Sequence, residues 1–209
     1  MRKTRPAVNW AIALFCVAVA GLCAFTDVLQ RVSAFDAAAN GFFAAYRQPP
    51  LIAIFLWITT LGAGPTVLLV VLVATALLAT DERRRALIRP LWLVYLGMEA
   101  TVWATKYAVG RIRPDFISAA SATSPSFPSG HSAGSLAIYG FLAYVIALRV
   151  TRARHRAVVL LFAAVMVLAI GLSRIFLSLH FVSDVVAGYV IGGFWLLAGV
   201  FYCKVTRSD

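Results

Sequence analysis

Acidic side chains are scarce in this chain. It holds 8 Asp and Glu against 19 Lys and Arg in 209 residues, and charged residues make up only 13% of it. A soluble domain is about 25% charged and about 45–50% apolar, whereas this sequence is 62% hydrophobic. So little charge excludes an ordinary water-facing surface, and so much apolar sequence has to be covered by lipid. The shortage of carboxylates also leaves no acidic cluster of the kind that holds Mg²⁺; Asp115 and Asp184 are the only acids near the polar motifs described below. Cysteine is equally sparse. Cys16, Cys23 and Cys203 are odd in number, sit in apolar surroundings without C-x-x-C spacing, and read as small buried hydrophobes rather than metal or redox ligands. With neither an internal repeat nor a long low-complexity linker, residues 1–209 read as a single membrane domain.

What the chain has in abundance is long apolar runs. A helix needs about 20 predominantly apolar residues to cross a bilayer. Such runs lie at about 7–25, 51–80, 87–109, 132–148, 157–172 and 184–203. The expected fold class is all-α: a polytopic membrane protein with six transmembrane helices. Ala18-Val19-Ala20 resembles a signal-peptide cleavage site, but apolar sequence continues past it, which favours a retained first span. The span at 51–80 contains Gly62-Ala63-Gly64-Pro65 and is expected to kink or break there. Between the first two spans, Phe35, Phe42, Phe43 and Tyr46 mark a segment lying in the membrane interface.

The formal charge of +11 does not point to nucleic acid, because the basic residues come as short runs between apolar segments. Placing the N-terminus inside puts 13 of the 19 Lys and Arg residues on the cytoplasmic side. The positive-inside rule thus gives cytoplasmic N- and C-termini. The remaining polar clusters then share the outer face, periplasmic if the membrane is a bacterial inner membrane.

Those clusters are Lys106 to Pro114, Pro128 to His131, and Ser173 to Asp184. Ionisable groups embedded in apolar sequence are costly and need a function. Lys106, Arg113 and Arg174 supply three cations suited to phosphate oxygens. Pro128-Ser129-Gly130-His131 opens the fourth span, where free backbone N–H groups, the flexible Gly130 and the Ser129 hydroxyl make an anion site. His180 and Asp184, four apart, are expected on one helix face, the carboxylate holding one ring nitrogen protonated and leaving the other free to attack. His131 has no adjacent carboxylate and suits proton donation to a leaving oxygen. Three cations, backbone donors and a hydroxyl are what a phosphoryl group requires, without a metal.

In these three motifs the chain resembles the type-2 phosphatidic acid phosphatase family. Lys106-Tyr107-Ala108-Val109-Gly110-Arg111-Ile112-Arg113-Pro114 is similar to its K-x₆-R-P motif, Pro128 to His131 to P-S-G-H, and Ser173 to Asp184 to S-R-x₅-H-x₃-D. The resemblance covers about Leu87 to Cys203. It implies that His180 is a nucleophile forming a phosphohistidine, with Asp184 orienting it and His131 protonating the leaving group. Lys106, Arg113, Ser129, Gly130 and Arg174 would bind the phosphoryl group. The implied substrate is a membrane lipid phosphate or diphosphate, with no cofactor. By family association undecaprenyl diphosphate comes first, and phosphatidylglycerophosphate, phosphatidic acid and a lipid A phosphate are the rivals. Phosphotransfer to a second lipid, a vanadate haloperoxidase and a non-catalytic lipid carrier are further readings. Six apolar spans disfavour the haloperoxidase, and an intact His180–Asp184 pair disfavours the carrier.

Other polar residues read as less committed. His155 sits in a cytoplasmic basic loop and faces headgroups. Arg111 is expected to contact a lipid headgroup, and Glu99 either pairs within the bundle or lines a wet crevice. Trp57, Trp92, Trp103 and Trp195 read as interface anchors and packing. The loop from Asp115 to Phe127 is expected to shape headgroup access.

Overall fold

The computed structural model describes residues 32–114 and 124–206. The expected first span at 7–25, and residues 115–123 of the access loop, lie outside the described residues. Within them, every regular element is helical: α1 (residues 32–44), α2 (Pro49–Thr60), α3 (Gly64–Ala79), the single turn α4 (Glu82–Arg85), α5 (Ile88–Val109), α6 (Gly130–Gly134), α7 (Gly140–Ala147), α8 (Ala153–Phe176) and α9 (Val182–Val205). A π-helical turn at Ser135–Tyr139 joins α6 to α7, making one continuous rod.

Prolines and glycines set the breaks. Pro49-Pro50 opens α2, where the missing N–H groups are not needed. The expected kink near Pro65 is a full break: α2 and α3 are separate helices bent by 41°. Proline has no N–H to give the carbonyl four residues back, that of Leu61. The Tyr139 hydroxyl, from the π-helical turn, donates to that Leu61 carbonyl instead. Helix α5 ends on Gly110, whose φ of 62° lies in the left-handed region that glycine enters without cost.

Helices Gly130–Ala147, Ala153–Phe176 and Val182–Val205 are long and apolar enough to cross a membrane, and the bent α2–α3 pair makes a fourth if it counts as one span. The expected span at 87–109 appears as the 22-residue α5, long enough to cross but interrupted by Arg89, Glu99 and Lys106. The described residues therefore carry three or four such spans where five were expected. The fifth and sixth expected spans are longer than the apolar runs, and the extension of α8 puts Arg174 within its last turn.

Helix α9 is the hub and lies against α5 and α6. An added Cβ on Gly188 would stand 2.5 Å from the Ser129 carbonyl oxygen. Only a glycine permits that backbone approach, a common device in membrane helix packing. Val67, Val71, Leu91, Val94, Met98, Ile138 and Phe141 fill the interior between α3, α5, α7 and α9. Leu69, Leu161, Phe162, Val190 and Leu197 point outward, the arrangement expected of a bundle whose solvent is lipid.

Candidate active site

The site assembles where α5, α6, α8 and α9 end or begin at one pole of the bundle. Lys106 lies in the last turn of α5, only 5% exposed, and its Nζ donates to the Pro125 carbonyl at 2.5 Å. Beyond Gly110 the chain leaves the helix, and the Ser126 N–H donates to the Arg111 carbonyl at 2.8 Å. That bond ties the first motif to the segment leading into the second. Ser129 caps α6, its Oγ accepting from the Ser132 N–H at 3.3 Å, so the hydroxyl expected to bind phosphate also holds the helix start. The Ser129 N–H donates to the Asp184 carbonyl at 3.0 Å, joining the second motif to the third. His131 stands on the first turn of α6 against the α2–α3 break, where an added Cβ at Gly62 would sit 3.2 Å from its ring.

The third motif departs from expectation in its local structure. His180 and Asp184 do not share a helix face. Helix α8 stops at Phe176, Ser178 turns the chain through a left-handed φ of 54°, and α9 starts at Val182. His180 lies in this break, and its N–H donates back to the Arg174 carbonyl at 3.2 Å. Asp184 occupies the third position of α9, where its Oδ2 accepts the Phe181 N–H at 3.0 Å. A carboxylate here suits the exposed N–H groups and positive dipole end of a helix start. The pair still meets, with His180 Nδ1 3.4 Å from Asp184 Oδ2.

On the other side of the ring, His180 Nε2 lies 3.2 Å from Arg113 Nη1. A guanidinium has only donors, so Nε2 must be the acceptor and Nδ1 carries the proton toward Asp184. Arg113 is fixed by bonds to the carbonyls of Ser124 at 3.0 Å and Leu179 at 2.9 Å. Burial pushes the His180 pKa well below the ordinary imidazole range, and Arg174, Arg113 and Lys106 push it further. Burial and the three expected cations favour the neutral ring, whose Nε2 lone pair points at the Arg113 guanidinium.

Arg174 is 7% exposed and donates from Nη1 to Thr59 Oγ1 at 2.7 Å, so the end of α2 enters the site. Its Nε is the one buried side-chain polar atom without a hydrogen-bond partner among the described residues. Buried donors are normally satisfied, and a phosphoryl oxygen would satisfy this one. Among the described residues no group of three or more His, Cys, Asp or Glu side chains is placed to hold a metal ion.

Arg111 is not a headgroup contact. Its Nη1 donates to Asp184 Oδ1 at 2.6 Å and to Ser183 Oγ at 2.7 Å, and its Nη2 to Asp36 Oδ2 at 2.8 Å. The guanidinium also stacks 4.1 Å from the Phe181 ring centre. Asp36, from α1, is 1% exposed and also accepts from the Ser183 N–H at 3.1 Å. Sequence reasoning missed Asp36, Asn40, Thr59 and Ser183. The available signal was Asp36 and Asn40 four apart in an aromatic segment, a polar stripe on one helical face. Glu99 stays away from the site and accepts from Trp103 Nε1 at 3.1 Å.

Comparisons with known proteins identify the family. A model of the PAP2 superfamily matches residues 86–208, which hold all three motifs. Phosphatidylglycerophosphatase B of Bacillus subtilis (strain 168) is 31% identical over 166 residues, covering 78% of this chain and 80% of that protein. The crystal structure of a transmembrane PAP2-type phosphatidylglycerolphosphate phosphatase from Bacillus subtilis superposes with a TM-score of 0.78 at 26% identity, covering 92% of this chain and 95% of that one. LpxE of Aquifex aeolicus shares the fold with a TM-score of 0.57 at 22% identity, over 79% of this chain and 92% of its own. Sequence, fold and relatives thus converge, and this integral membrane protein belongs to the PAP2 superfamily.

Proposed function

We propose that this PAP2 lipid phosphatase hydrolyses the phosphate monoester of a membrane phospholipid through a phosphohistidine on His180, with phosphatidylglycerophosphate its first substrate. The observation that carries the mechanism is the clamped His180 ring: Nδ1 faces Asp184 at 3.4 Å and Nε2 meets Arg113 at 3.2 Å. In the first step the Nε2 lone pair forms the N–P bond as the P–O bond to the lipid breaks. His131, in its protonated form, gives its proton to the leaving oxygen. Asp184 stabilises the positive charge that the phosphorylated ring acquires. In the second step neutral His131 takes a proton from water, the water oxygen attacks phosphorus, and the N–P bond breaks to release phosphate and restore His180. Lys106, Arg113, Arg174, Ser129 and the backbone at Gly130 surround the equatorial oxygens throughout.

The names of the relatives favour phosphatidylglycerophosphate over undecaprenyl diphosphate, the first choice by family association. The tail stays in the bilayer while the headgroup reaches the pole of the bundle. The distribution of Lys and Arg supports six spans over residues 1–209 as one unit, with cytoplasmic termini and the site on the periplasmic side of a bacterial inner membrane. Among the described residues, the carboxylates beside the site, Asp36 and Asp184, are engaged by Arg111, which supports a reaction without a metal. The test is phosphate release by purified protein from a panel of phosphatidylglycerophosphate, phosphatidic acid and undecaprenyl diphosphate, with and without chelator. Preferred turnover of phosphatidylglycerophosphate that ignores chelator is expected. Preference for the diphosphate would overturn the substrate, and a strict need for Mg²⁺ would overturn the mechanism.

A further inference from the structure

Helix α1 precedes the region matched by the family model, yet it makes three hydrogen bonds with the segment that carries His180. Asp36 takes the Ser183 N–H at 3.1 Å, the Ser183 hydroxyl at 2.5 Å and Arg111 Nη2 at 2.8 Å. One turn further along, Asn40 Oδ1 accepts from the Ser178 hydroxyl at 2.7 Å and from Arg47 Nη2 at 2.5 Å. Arg47 in turn donates from Nε to the Phe176 carbonyl at 2.6 Å. Both ends of the break between α8 and α9 are thereby fastened to α1, including Ser178 with its left-handed φ of 54°. The opposite face of α1 exposes Phe35 by 61% and Phe42 by 60%, as an interfacial helix does.

We propose that Asp36 is a positioning residue for the reaction, acting through Arg111 to set the place and charge of Asp184 and so the readiness of His180. The proposal rests on His180 being the nucleophile. Its physical basis is the fork of Arg111, shared between two fully buried carboxylates at 2.8 Å and 2.6 Å. A guanidinium facing Asp184 alone would neutralise it, and a neutral pair offers little to a ring gaining positive charge. With Asp36 present the three groups carry one net negative charge, and Asp184 can support the charged ring after attack. Asp36 also keeps Arg111 drawn toward α1, so Asp184 Oδ1 takes the guanidinium while Oδ2 stays turned to His180. A latch needed only for stability would require no second carboxylate on the same guanidinium.

The experiment compares wild type with Asp36→Asn, which keeps the shape and removes the charge, for phosphate release from a phosphatidylglycerophosphate analogue in mixed micelles. The expected result is a fall in kcat of about 10- to 100-fold with KM little changed, in protein that still folds. Phosphohistidine formation in single turnover should slow by the same factor. In an Asp184→Asn background, Asp36→Asn should cost nothing further, because the residue acts through Asp184. If Asp36→Asn does not fold, Arg111→Lys reads the same link, since an ammonium cannot fork between two carboxylates, and it should show the same loss in kcat. Wild-type kcat in either variant, or full additivity with Asp184→Asn, would overturn the proposal. His180→Ala, run in parallel, separates the two levels: if it retains turnover the nucleophile assignment fails, and if it is inactive while Asp36→Asn is unimpaired only the positioning role fails.

Discussion

Replacing Gly188 by alanine tests whether close approach of α9 to α6 holds the site together. The added Cβ would lie 2.5 Å from the Ser129 carbonyl oxygen, 3.0 Å from Ser132 Cβ and 3.2 Å from the Ala133 nitrogen. Two of these are backbone atoms that cannot rotate away, and ordinary contact begins near 3.4 Å, so the backbones must part by about 0.9 Å. Overpacking of this kind costs about 1–3 kcal/mol. The same movement stretches the bond from the Ser129 N–H to the Asp184 carbonyl, now 3.0 Å, and carries Asp184 away from His180. A misplacement of about 1 Å at reacting groups can cost roughly 100-fold in rate. Gly188→Ala should therefore lower both the melting temperature and kcat. Gly193→Ala, five residues further along the same helix, meets nothing nearer than Leu136 Cδ2 at 3.7 Å and should leave both unchanged. The assay is phosphate release together with thermal unfolding in detergent. Wild-type kcat in Gly188→Ala, or equal damage in both variants, would refute the reasoning.

Two further outcomes follow from the site's electrostatics. Because the His180 pKa is pushed well below its unfolded value of about 6.5, the unfolded chain binds more protons there than the native one. His180 should thus make stability fall as pH drops from about 6.5 toward the native pKa, with no such contribution above it; His180→Gln should flatten this slope in thermal unfolding, and an unaltered slope would count against a neutral buried ring. Thr59→Val removes the acceptor of Arg174 Nη1 at 2.7 Å while keeping its shape. A hydrogen bond to a charged group contributes about 1.5–3 kcal/mol, so kcat/KM should drop by roughly 10- to 100-fold, and an unchanged value would show that Thr59 does not place Arg174.

The sequence made the chemistry legible where residue types and spacing carry it. Three cations and two histidines in apolar surroundings pointed to a buried anion site, and the structure brings Lys106, Arg113, Arg174 and His180 together. The break at Pro65 was legible too, since a proline's missing N–H is a local fact. What could not be read was that His180 lies outside the helix that carries Asp184. Four-residue spacing suits a helix face, but Asp184 does better as a carboxylate at a helix start, which leaves His180 in the preceding turn. Arg111 was misjudged for a different reason. Its partner Asp36 lies 75 residues away, in a segment whose aromatics marked it as interfacial. A long-range ion pair leaves no trace in local periodicity. The Asp36 and Asn40 stripe was visible, but the partner for its polar face was not.

The central claim is that His180 Nε2 becomes covalently bonded to phosphorus. The direct measurement is rapid mixing with substrate labelled on the phosphate, alkaline quenching to preserve phosphohistidine, and localisation of the label by mass spectrometry. The account predicts label on His180 in the wild type, none in His180→Ala, and longer-lived label in a His131→Ala variant in which water lacks its base. Label on His131, or turnover by His180→Ala, would contradict it.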